Sequence, residues 1–187
     1  MRQRMPSYSW SFGLLFLVTS CTQEQTPSKG SGLSDSSYQL ADIYSDLRSQ
    51  ALEYRPQEGL ESTDQVVSVP METGYPEAVA TLVAVSDGAV SIYFSNGGGI
   101  IGAGEHEPVR RIAKEFLSLA ATFLNDADLV ESFALPEPSR VRFFFVTSGG
   151  TYMVDALEDD LGYNRHDFSP LFQQGHELIT AIREHAE

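Results

Sequence analysis

The chain has 187 residues, 12 Lys and Arg against 26 Asp and Glu, a formal charge of −14 and one cysteine. That length predicts a single domain, and 42% apolar with 20% charged residues suits a packed core rather than a disordered acidic chain. The acidic excess argues against a nucleic-acid partner, whose phosphates need clustered Lys and Arg, and one cysteine makes neither an internal disulfide nor a multi-cysteine zinc site.

Residues 1–9 carry Arg2 and Arg4 and no acid, and the apolar run Phe12–Val18 follows. That run is far short of the ~20 residues that span a bilayer as a helix. A basic start, a short apolar stretch and small residues after it read as a secretory signal. The segment closes Val18-Thr19-Ser20-Cys21. This resembles the lipobox of bacterial lipoproteins, in which a branched apolar residue and two small ones precede a cysteine. The resemblance covers residues 1–21 and implies a signal peptide over 1–20, cleavage before Cys21, lipidation of its thiol and acylation of the new amino terminus. Removal of residues 1–20 takes away Arg2 and Arg4 and changes the charge from −14 to −16. A body this acidic is repelled by anionic headgroups, so the membrane is reached through covalent lipid. The expected setting is a bacterial membrane with the body in the periplasm or outside the cell. By the sorting rule of enteric bacteria, Thr22 in place of Asp favours the outer membrane.

Residues 21–37 hold the cysteine and a run rich in Ser, Thr, Gln and Gly, read as a tether. Residues 38–187 form the expected globular domain. Leu40, Ile43, Tyr44, Leu47, Ala51 and Tyr54 recur at helical spacing over Ser37–Tyr54, and Pro56 ends that helix. Gln57–Gln65 reads as a polar loop. Val66–Met71 predicts a strand interrupted or bounded by Pro70, and Glu72–Pro76 a turn. Ala78–Ser86 and Ala89–Ser95 predict strands joined at Asp87-Gly88 by a two-residue type I′ turn. Asn96–Gly104 is glycine-rich. His106–Leu124 carries Val109, Ile112, Ala113, Phe116, Ala120 and Phe123 on one helical face, with Pro108 in its first turn. A loop over Asn125–Ser139 contains Pro136 and Pro138. Strands at Arg140–Thr147 and Thr151–Leu157 follow, turning at Gly149-Gly150, and a last helix opens at Ser169-Pro170.

The expected order is α-β-β-β-α-β-β-α, an α+β domain with an antiparallel five-stranded sheet and helices packed on it. That order resembles the type III secretion chaperone fold and, less closely, the Roadblock and profilin-like folds. The likeness is topological and spans residues 37–185. An exported lipoprotein is not a cytoplasmic chaperone, so no activity is carried over from it.

Gly97-Gly98-Gly99-Ile100-Ile101-Gly102 matches G-x-G-x-x-G between a strand and a helix, the setting of a dinucleotide fingerprint. Here the preceding strand belongs to a tight hairpin. Glu105 and Glu107 also occupy the helix start and would repel a pyrophosphate. Two readings stay open. The glycines form a strand-to-helix corner, or Asn96, Gly97, Gly98, Gly99, Gly102 and Gly104, with Arg110 and Arg111 and aided by His106, bind a small ligand or anion. His106-Glu107 and His176-Glu177 lack the second histidine of a zinc-protease helix, because Arg110 and Thr180 stand at the fourth position. No G-x-S-x-G occurs, and Glu158-Asp159-Asp160 reads as a solvated acidic loop. No catalytic residue, cofactor or metal site is expected.

One face of Arg140–Val146 reads Val141, Phe143, Phe145, and the other Arg142, Phe144, Val146. In Ser91–Ser95 the faces are Ile92, Phe94 and Ser91, Tyr93, Ser95. A sheet covered on one side only would present Tyr93, Phe144 and Val146 as a surface for a protein partner or a homodimer. An N-terminal helix laid over that side would bury them. The first functional expectation is a lipid-anchored, non-enzymatic envelope module that binds a partner or itself. The alternative is a small-ligand-binding protein or enzyme built on the glycine segment.

Overall fold

The computed structural model describes residues 38–56 and 62–185. The signal peptide, Cys21, the tether and residues 57–61 of the polar loop lie outside the described residues. The elements are α1 (Asp42–Leu52), β1 (Ser68–Gly74), β2 (Val79–Val85), β3 (Val90–Phe94), β4 (Gly99–Ile101), α2 (Glu107–Thr122), β5 (Asp128–Val130), β6 (Arg140–Val146), β7 (Thr151–Leu157), α3 (Glu158–Gly162) and α4 (Ser169–His185).

The sheet is antiparallel throughout and runs β4-β3-β2-β1-β6-β7-β5. The α+β class and the antiparallel pairing match the sequence expectation. The strand number does not: there are seven strands, because each edge gains a three-residue strand. Glycine residues 97–99 fold β4 back on β3, and β5 lies within the predicted loop over 125–139.

Three local expectations are also corrected. β1 continues through Pro70 to Gly74, so Glu72 and Thr73 are strand residues. Proline has no N–H to donate. The β1–β6 ladder accordingly skips Val69 and Pro70, while Pro70 stays in register with Val83 of β2. The β2–β3 turn has three loop residues, Ser86, Asp87 and Gly88, closed by hydrogen bonds from Val85 N to Ala89 O (2.9 Å) and Gly88 N to Val85 O (2.9 Å). Within it Gly88 takes a positive φ of 95° and Asp87 does not, whereas a type I′ turn needs two such residues. Glu158-Asp159-Asp160 is the first turn of α3, where carboxylates suit the positive end of the helix.

Side chains alternate across the sheet and build two cores. On one face Val69, Met71, Leu82, Ile92, Phe143 and Phe145 meet Val109, Phe116, Leu171, Leu178 and Ile182 of α2 and α4. On the other, Val83, Val85 and Tyr93 meet Tyr44 and Ala51 of α1. The sheet is therefore filled between α1 on one side and α2 with α4 on the other.

Candidate functional site

The α1 side of the sheet holds a row of polar residues in direct cross-strand register: Tyr93 on β3, Thr81 on β2, Glu72 on β1, Arg142 on β6 and Asp155 on β7. The Glu72 side chain is fully buried. Arg48, on the sheet-facing side of α1, donates to it from Nε at 2.6 Å and from Nη2 at 3.0 Å. One turn earlier the Tyr44 hydroxyl shares a 3.0 Å hydrogen bond with Thr81 Oγ1. The Tyr44 and Tyr93 rings meet edge to face, with centroids 5.6 Å apart. Burial and then the Glu72 charge push both phenols well above the ordinary tyrosine range. Burial alone would lower the Arg48 guanidinium, but Glu72 holds it above its usual value. Farther along the row Asp155 accepts from Arg140 and, at 2.5 Å, from Arg142 Nε. Arg142 Nη1 closes the row on the carbonyls of Ala134 (2.6 Å) and Leu135 (2.9 Å). The three arginines neutralise both acids, with one positive charge in excess, and tie α1 and the 134–135 segment to the sheet.

The three residues expected as an exposed partner surface are buried: Tyr93, Phe144 and Val146 all lie in the core. Their cover is local. Tyr44 lies over Tyr93. Phe144 takes the edge of Phe133, centroids 6.0 Å apart, and the Arg48 guanidinium at 5.8 Å from its ring. The N-terminal helix thus covers the Tyr93 part of this face, and Phe133 with Arg48 covers Phe144.

The glycines sit at backbone corners. Gly97, Gly98 and Gly99 have φ of 102°, 84° and 144° and turn β3 into β4. Gly97 N donates to Phe94 O at 2.9 Å, and Gly98 O accepts from Phe94 N at 3.1 Å. A Cβ on Gly99 would fall 2.4 Å from Ile92 O, and one on Gly104 would fall 1.9 Å from Gly88 O. Gly102 (φ 79°) opens a 3₁₀ turn over Ala103–Glu105 that leads into α2. Asn96 is exposed in the hairpin loop. Arg110 donates to the Glu105 carbonyl at 3.0 Å and faces Glu107 at 3.6 Å, and Arg111 pairs with Glu115 at 2.8 Å.

No family model, curated protein or solved structure matches this chain.

Three of the cavities lined by described residues bear on a candidate site. One of about 330 Å³ lies beside Gly102, between His106 and His185, whose ring centroids are 5.9 Å apart. Among the described residues no group of three or more His, Cys, Asp or Glu is placed to hold a metal ion. A second, of about 500 Å³, lies between the 129–134 segment and Arg142, Phe144 and Met153. The third, of about 180 Å³, lies between α4 and strands β1, β2 and β3. Met71, Ala80, Leu82, Ile92 and Ile179 give it apolar walls, while Thr73, Tyr75, His176 and Arg183 supply polar groups. Here α4 presents His176, Ile179 and Arg183 at three- and four-residue steps, a stripe visible in the sequence but not singled out there. Burial pushes the His176 imidazole below its ordinary value.

Proposed function

We propose that this chain is a lipid-anchored protein of the bacterial cell envelope whose body serves as a non-enzymatic binding module. The observation that carries this reading is the position of the lone thiol. The chain has one cysteine, and it falls at the end of Val18-Thr19-Ser20-Cys21, immediately after the apolar run 12–18. Each buried CH₂ of an acyl chain contributes about 0.8 kcal/mol, and stable anchoring takes more than one chain. An acylated, thioether-lipidated cysteine meets that need without help from the protein surface. The charge of −16 after removal of residues 1–20 supports a body held off the headgroups. Thr22 favours the outer membrane in a Gram-negative cell.

A binding role is supported by how the buried charges are used. Glu72 on β1 and Asp155 on β7 are neutralised by Arg48, Arg140 and Arg142. With Tyr93, Phe144 and Val146 buried, the contact surface moves to the ends of the sheet. Edge strands β4 and β5 expose Ile101 and Leu129, each 62% accessible, and an edge strand offers unpaired backbone groups to another chain.

The test is phase partitioning in a bacterial host, with mass spectrometry of the N-terminal peptide. The wild type enters the detergent phase with a lipidated Cys21 as first residue, and Cys21→Ala stays in the aqueous phase. An unprocessed chain that begins at Met1 and carries a free thiol would refute the anchor. For the surface, cross-linking in the intact envelope is compared between wild type, Ile101→Lys and Leu129→Lys. Adducts untouched by both substitutions would remove the sheet edges from the proposal.

A further inference from the structure

We propose that the cavity between α4 and the sheet is a binding site for a small monocarboxylic acid with an apolar tail of about six carbons. This inference stands whether or not Cys21 carries lipid.

The first argument is an unused cation. Arg48, Arg110, Arg111, Arg140, Arg142 and Arg165 each bond a carboxylate, a carbonyl or both, and Arg55 bonds the Tyr54 carbonyl. Among the described residues Arg183 is the one arginine with neither an ion pair nor a hydrogen bond. In a chain with 26 acidic side chains, a guanidinium without a partner is out of keeping with the rest of the surface. It lines the cavity while remaining exposed to solvent. A guanidinium matches a carboxylate with two parallel hydrogen bonds.

The second argument is the shape and chemistry behind that cation. Met71, Leu82 and Ile92 form an apolar floor, and the Tyr75 and Thr73 hydroxyls and His176 stand with Arg183 as polar groups. An apolar cavity of about 150 Å³ takes benzene, so about 180 Å³ has room for a tail of similar size. Phe172 meets the His176 ring edge to face at 4.4 Å and fixes its position. Gly175 lets α4 approach the sheet closely at Met71, a residue of the cavity floor. A Cβ there would fall 2.7 Å from Met71 Sδ.

The third argument restricts the charge of the ligand. The Tyr75 phenol is pushed up by burial and then by the nearby Glu158 carboxylate. Negative charge already stands beside the cavity, so a second carboxylate on the ligand meets repulsion. An amine meets Arg183. One carboxylate and an apolar remainder satisfy both limits.

The experiment is calorimetric titration of the full-length protein with hexanoate, 1-hexanol, hexylamine and hexanedioate, with methyl NMR at Met71 and Ile179 to locate the site. Hexanoate binds and shifts both methyl groups, and hexanol and hexanedioate bind at least about tenfold more weakly. Arg183→Gln, an exposed substitution that leaves the core intact, lowers hexanoate affinity to the level of hexanol. Ala80→Leu narrows the cavity and weakens hexanoate and hexanol together. The inference is overturned by no hexanoate binding to the wild type, by equal binding of hexanoate and hexanol, or by Arg183→Gln that binds as the wild type does.

Discussion

Arg48 reaches from α1 to grip both oxygens of Glu72, a carboxylate fully buried on the central strand, at 2.6 and 3.0 Å. α1 is otherwise joined to the sheet by Tyr44 and a small apolar patch, so this pair sets where the helix lies. Breaking a buried pair by removing one partner costs about 3–5 kcal/mol, because the other charge stays buried. Arg48→Met should therefore destabilise by that amount in urea unfolding at neutral pH. The double variant Arg48→Met/Glu72→Met removes both charges and should regain most of the loss. If the double variant is as unstable as the single one, the cost lies in packing on Phe144 rather than in the unpaired acid.

Asp155 stands between Arg140 and Arg142, and Arg142 alone continues to the 134–135 carbonyls. Asp155→Asn keeps the shape and removes the negative charge, which leaves two half-buried cations facing each other. A loss of about 2 kcal/mol is expected, together with faster amide exchange at residues 131–137, which Arg142 holds over Phe144. Unchanged exchange there would show that the edge contact of Phe133 with Phe144 and the Arg48 hydrogen bond to the Ala134 carbonyl suffice to hold the segment.

The sequence displayed the large elements because they are long enough to show a period. Val109 to Phe123 repeats as a helix, and Val141 to Val146 alternates as a strand with both faces apolar. β4 and β5 are three residues each, Gly99–Ile101 and Asp128–Val130, too short for any period to emerge. On sequence alone β1 ends at Met71 and Glu72–Pro76 reads as a turn, since a proline argues against a central strand. The chain keeps it there by leaving the β1–β6 ladder incomplete at that point. The alternation Arg142, Phe144, Val146 was visible, but not whether α1 would cover it. That depended on a pairing between Arg48 and Glu72, 24 positions apart. The stripe His176, Ile179, Arg183 was legible as spacing, yet an exposed arginine beside a cavity acquires meaning only once its lack of a partner is seen.

The glycine segment makes a sharp prediction because its members differ. Gly104 packs against Gly88, and a methyl group would meet a backbone oxygen at 1.9 Å. Backbone cannot rotate aside as a side chain does, so Gly104→Ala should cost about 3 kcal/mol or more. Gly98 has a φ of 84° but open space around its Cβ direction. Asparagine tolerates the left-handed region, so Gly98→Asn should stay within about 1 kcal/mol of the wild type. Thermal melts of the two variants test this directly. Equal, mild effects would mean that Gly104 is not the close-approach point between the 3₁₀ turn and the β2–β3 turn.

His176 gives stability a pH dependence whose sign follows from its surroundings. Burial lowers its folded pKa below the ordinary value of about 6.5. Between those two values the unfolded chain binds the proton and the folded chain resists it. Stability must therefore fall as pH drops below about 6.5, and the loss levels off once the folded imidazole is also protonated. Arg183, on the same cavity wall, adds repulsion to the charged ring, and the Tyr75 phenol is neutral in this range. His176→Gln cannot titrate, so its unfolding free energy should fall less than that of the wild type between about pH 8 and about pH 5.5. His106, His166, His185 and the carboxylates are common to both proteins and cancel in the difference. Parallel stability curves for the two would show that the imidazole is as well solvated in the folded chain as in the unfolded one.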